Sequence, residues 1–147
     1  MRTTTRALQL AAHLLSHRGL HTGEQFAVRT GSLDICAAVY MAAEKYALPD
    51  RLDVPAAFFT DECASLDLIE ASEPTMAAIR AISAALDTEP CETNGVPDYI
   101  EHVSNWAATP PIGEHFPPRT SEVIGCILRA ADSIARDHTL PPHHHAA

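Results

Sequence analysis

Cys36 is the residue whose type and position best suit nucleophilic chemistry. It stands near the start of a helix predicted over 32–47, where the helix dipole would favour a thiolate, and His102 is the candidate base. A plainer role competes with this one: Cys36 shares an apolar face with Val39 and Tyr40, and no cysteine-enzyme signature surrounds it. His13 and His17 lie four apart on one helix face, a spacing at which two imidazoles can share a metal, and His21 follows soon after. Leu14, however, occupies the place of the glutamate in an H-E-x-x-H zinc helix, and the pair falls on the polar face, so no metal site is expected there. His143 to His145 form only a loose ligand set in a short tail.

Other chemical signatures are missing. The acidic pairs Asp61-Glu62 and Glu70/Glu73 read as helix starts and solvated charge, and there is no glycine-rich phosphate loop, G-x-S-x-G elbow or zinc-finger spacing. No cofactor is therefore expected.

The elements that would position these residues are helical. Aromatic residues make up only 5% of the 147-residue chain and alanine is abundant, which favours close-packed helices over a sheet. The length suits one domain, expected over 1–138 with a disordered tail over 139–147. A formal charge of −9, with no run among the ten basic residues, argues against nucleic acid and anionic membrane surfaces as partners. The four cysteines are far apart and read as reduced thiols, and neither a signal peptide nor a membrane-spanning run is evident, so a cytoplasmic location is expected. Lys45 is the one lysine; arginine and alanine usage hints at a GC-rich source.

Periodicity predicts an all-α fold, a single bundle of about five to six helices with a proline-rich loop before the last. The first helix runs over 5–18, with Ala7, Leu8, Ala11, Leu14 and Leu15 inward and Gly19 ending it. Residues 20–31 read as a loop with room for a short extended piece at 25–29. The 32–47 helix, capped by Ser32 and stopped by Leu48-Pro49-Asp50, is placed at the centre, with the last helix packed on it. Thr60 is expected to cap a helix to about Glu70, Ser72 one to about Leu86, Pro97 to open a helix bearing Tyr99, Val103 and Trp106, and Thr120 to cap the last, to about Arg136.

Taken together, the segments Arg18-Gly19-Leu20, Ile35-Cys36-Ala37-Ala38, Val103 to Trp106 and Arg119-Thr120-Ser121-Glu122-Val123 resemble a family of small actinobacterial and actinophage proteins of unknown function. The likeness runs from about Ala7 to Ala135. That family tends to carry Trp-Asn-Asp before the Arg-Thr start, where this chain has Trp106-Ala107-Ala108 and a longer proline-rich loop. The resemblance implies a small helical domain and carries no activity.

Two functional readings follow. The favoured one is a non-enzymatic interaction or regulatory module with a protein partner; the alternative is a small hydrolase or transferase using Cys36 with His102. Long loops without regular structure are often binding surfaces. The one over 109–118 carries Ile112 and Phe116 among four prolines, which either dock a partner or fold back over the end of the bundle near Trp106.

Overall fold

The computed structural model describes residues 3–45 and 52–139. Helix α1 (Thr4–Arg18) starts where the Thr3 hydroxyl accepts from the Arg6 N–H, and it ends at Gly19, whose N–H returns to the Leu15 carbonyl. Gly19 has φ +88°, and a Cβ there would come within 3.2 Å of Ser32 Oγ, so glycine answers both demands.

The segment after α1 is more ordered than a plain loop. Leu33 bridges Leu20 in parallel and Ala27 in antiparallel fashion, and the Phe26 and Ala27 N–H groups both donate to the Phe58 carbonyl. Ser32, expected to cap the central helix, instead donates from its hydroxyl to the Arg18 carbonyl at the end of α1. The cap of α2 (Ile35–Tyr40) is Asp34, whose carboxylate accepts from the Cys36 N–H at 2.7 Å and the Ala37 N–H at 3.4 Å. A carboxylate outcompetes a hydroxyl here because its charge also complements the helix dipole. The chain then continues as a π-helical turn, Met41–Lys45. Every side chain from Ile35 to Ala43 is buried, and the small ones, Ala37, Ala38 and Ala42, let neighbours approach on several sides. Tyr46 to Arg51, including the expected end of this helix and its Leu48-Pro49-Asp50 stop, lie outside the described residues.

Helix α3 (Ala57–Thr60) is a single turn that buries Phe58 completely against Phe26 and Tyr40, with ring centroids 5.9 and 5.4 Å apart. Its neighbour Phe59 lies under the Arg29 guanidinium, 5.6 Å away. Asp61, one residue later than the expected Thr60, caps α4 (Glu62–Glu70) through the Ala64 N–H. Ser72 caps α5 (Glu73–Ala85), and its hydroxyl also donates to the carboxylate of Glu44, tying the π turn to the start of α5.

Residues expected to be loop form a two-stranded antiparallel hairpin, β1 (Glu92–Thr93) with β2 (Val96–Pro97), pairing Thr93 with Val96. Its turn residues Asn94 and Gly95 both have positive φ, +54° and +78°, as a two-residue hairpin turn of the right twist requires. Pro97 therefore ends a strand rather than opening a helix, and Asp98 caps α6 (Tyr99–Ala108). Residues 109–119 contain neither helix nor strand. At the start of α7 (Thr120–Thr139) the Glu122 carboxylate accepts the Arg119 N–H, so Arg119, not Thr120, holds the cap position.

The described residues thus hold seven α-helices and one small hairpin, with α3 and the hairpin additional to the expected bundle. A further correction concerns α7, which packs most extensively on α1 and then on α5, not on α2. Small buried residues explain the choice: Ala7, Ala11 and Ala12 on α1, with Ala130 and Ala131 on α7, allow two long helices to lie close, while α2 is short and already flanked by α1, α5 and α6. The tail from Leu140 on, with His143 to His145, lies outside the described residues.

Val39 and Ile127 have no exposed surface. Val39→Asp or Ile127→Asp should unfold the chain, since an unpaired buried charge costs several kcal/mol or more against a total stability of ~5–15 kcal/mol. Loss of the helical circular dichroism signal at room temperature is the measurement.

Candidate functional site

Two polar clusters meet α6 from opposite sides. The inner one joins Asp34, Cys36 and Ser104. Cys36 Sγ lies 3.4 Å from Ser104 Oγ, and Ser104 Oγ lies 3.3 Å from Asp34 Oδ2. Asp34 is an acceptor, so Ser104 donates to it and accepts in turn from the Cys36 thiol. The thiol proton is thereby held. Burial, and then the Asp34 charge, push the Cys36 thiol well above its ordinary range, so it is neither exposed nor readily ionised. Burial also pushes Asp34 up to about 6, opposed by the Cys36 and Ala37 N–H groups, by Ser104 and by its electrostatic interaction with His21.

The outer cluster is centred on His102, which is buried. Its Nδ1 is 2.6 Å from Ser83 Oγ on α5, and its Nε2 is 2.7 Å from Thr88 Oγ1 in the segment leading to β1. The structure does not bring Cys36 and His102 together. Ile100 and Ser104, which face Cys36, are four apart on α6, whereas His102 is turned by about 200° from each. One helix cannot aim all three the same way.

His102 does line an open cleft of about 490 Å³, with Asp87, Thr88, Glu89 and Cys91 on one side, Glu101, Asn105 and Trp106 on α6, and Thr109 to Ile112 beyond. This volume falls within the range of ligand pockets. Trp106 is half-buried and packs on the core from the cleft side. Asp98 Oδ2 accepts from the Thr93 hydroxyl, and its N–H donates to the Cys91 carbonyl, so the hairpin and the start of α6 hold the acidic wall in place.

The remaining sequence candidates lie elsewhere. His13 and His17 stack edge to face on the exposed side of α1, with ring centroids 4.5 Å apart, and His21 Nε2 sits 2.7 Å from the Glu24 carbonyl. Among the described residues no group of three or more His, Cys, Asp or Glu side chains is arranged to hold a metal ion. Ile112 and Phe116 project from the 109–119 segment with relative exposures of 106% and 79%. No helix of the described residues is long and apolar enough to cross a membrane.

Fold and cleft together define a small, mostly helical protein with a tryptophan-lined surface cleft and an enclosed cysteine. The chain belongs to DUF6197, a family of unknown function whose profile matches residues 1–133. Neither the curated proteins nor the solved structures include a match to it.

The buried carboxyl gives a signed pH dependence. Between pH ~4 and ~6 folded Asp34 keeps a proton that the unfolded chain has released, so its contribution to stability is full below that window and falls as the pH rises through it, by about 3 kcal/mol. Asp34→Asn, which retains a capping oxygen, should flatten this part of the stability profile in urea titrations at stepped pH. Thiol titration provides a second check: Cys63 and Cys91, which are exposed, should react with a disulfide reagent in the native state, while Cys36 and Cys126 wait for unfolding.

Proposed function

We propose that the chain is a non-enzymatic protein-interaction or regulatory module that holds a partner at the 109–119 segment and the adjoining cleft. One observation carries this reading: Ile112 and Phe116, two large apolar side chains, stand exposed on a segment stiffened by four prolines beside a half-buried tryptophan. Proline restricts the free segment, so less entropy is lost when its side chains dock. The segment also has internal order, since the Glu114 N–H closes a turn onto the Pro111 carbonyl and Thr109 donates to the Asn105 side chain.

The alternative, a hydrolase or transferase using Cys36 with His102, lacks comparable support. Its nucleophile is enclosed with its proton held by Ser104, and both ring nitrogens of its base are engaged by hydroxyl groups. The protein partner, a cytoplasmic setting and an actinobacterial or actinophage source belong to this same proposal, the last resting on the motif resemblance and consistent with abundant alanine and the use of arginine in place of lysine at all but Lys45.

Phe116→Ala should leave the melting temperature within about 2 °C of wild type, because surface substitutions change stability little. The same variant, used as bait in host lysate, should recover much less of whatever the wild-type chain enriches. Normal melting with every partner retained would remove the segment from consideration.

A further inference from the structure

The cleft beside Trp106 has a chemistry that selects among partners. Its apolar wall is built from Trp106, Pro110, Pro111 and Ile112, and its rim carries the carboxylates of Asp87, Glu89 and Glu101. No lysine or arginine is among its lining residues. All three carboxylates are exposed. Arg129, which lies beside Cys126 near Asp87, is not part of the lining. The chain as a whole carries a formal charge of −9, so the field at the cleft is negative in the long range as well as locally.

From this juxtaposition we infer that the cleft takes a partner segment presenting a lysine or arginine side chain flanked by apolar residues. The inference rests on the proposed reading of this cleft as a protein-binding site and adds the chemical class of what enters it. The long aliphatic stem of lysine or arginine can lie along the proline and isoleucine wall while its cationic head reaches the carboxylates. The tryptophan supplies a further attraction, since an aromatic face favours a nearby cation. An acidic segment would meet like charge at close range and be rejected. A wholly apolar segment would cover the rim carboxylates and lose their hydration without return.

Trp106 is the one tryptophan of the chain, so its fluorescence reads the cleft directly. The probes are three synthetic peptides, acetyl-Ala-Leu-Lys-Leu-Ala-amide and the same sequence with norleucine or glutamate at the centre, titrated into the full chain. The lysine peptide should give a saturable change with an affinity roughly tenfold above the norleucine peptide, and the glutamate peptide none. That preference should shrink as salt is raised from about 50 to about 300 mM. The double variant Glu89→Gln/Glu101→Gln, checked for normal melting, should bring the lysine peptide down to the norleucine level. Equal or tighter binding of the norleucine or glutamate peptide overturns the inference, as does the absence of any saturable response. If Phe116→Ala still loses its captured partner in that event, the interaction module stands and only the choice of a cation fails.

Discussion

A single carboxylate with little access to water determines how the centre of this molecule is set. Asp34 accepts the first free N–H groups of α2 and, from the far side, the Ser104 hydroxyl of α6. It stays there only because the backbone on either side is fixed: its own N–H donates to the Phe26 carbonyl, and Leu33 before it is held between Leu20 and Ala27. Phe58 closes the arrangement by accepting the Phe26 and Ala27 N–H groups while its ring fills the space against Tyr40. Burial of the charge is costly, as the raised Asp34 value records, and the hydrogen bonds offset part of that cost. In return the position of α2 relative to α6 is specified by directional contacts as well as by packing.

Helix α6 divides the molecule into a closed side and an open one. Toward α2 it offers Ile100 and Ser104, and there a thiol is kept protonated. Away from α2 it offers His102, which joins α5 to the segment approaching the hairpin through Ser83 and Thr88. His102 thus acts as a brace between α5 and the Thr88 segment that lines the cleft, and both its ring nitrogens are engaged in holding them. The wall of the cleft is positioned by the interior while its surface stays free to meet solvent.

Much of the helical framework was legible in the residues, because caps and prolines are local signals. Helix α5 follows Ser72-Glu73-Pro74 as read, and Gly19 ends α1 as read. Where a cap was misplaced, two polar residues stood close together: Ser32 and Asp34, or Thr60 and Asp61. The choice between them depends on tertiary partners, Arg18 and Ser104 in the first case. The hairpin had a local signal in Asn94-Gly95, a strong turn pair, but its strands are too short to show alternation. The cleft was legible only where the 109–118 loop was placed near Trp106; the contribution of residues 87–91 and of His102 was not. Its lining comes from residues 87–91, 101–106 and 109–112, and nothing in residues 87–91 carries a pattern that points to the other two segments. The Cys36 and His102 pairing failed to form for a related reason, since proximity across α6 depends on which side of the helix meets α2.

The prolines around Ile112 and Phe116 have a consequence for how this protein behaves at high concentration. Exposed isoleucine and phenylalanine in an extended segment are ordinarily an invitation to cross-strand association between copies, which needs an uninterrupted row of backbone N–H donors. Pro110 and Pro111 precede the pair, and Pro117 and Pro118 follow it, so both flanks lack those donors and resist the flat extended shape that stacking demands. The chain can keep two adhesive side chains on permanent display without offering a backbone template for aggregation.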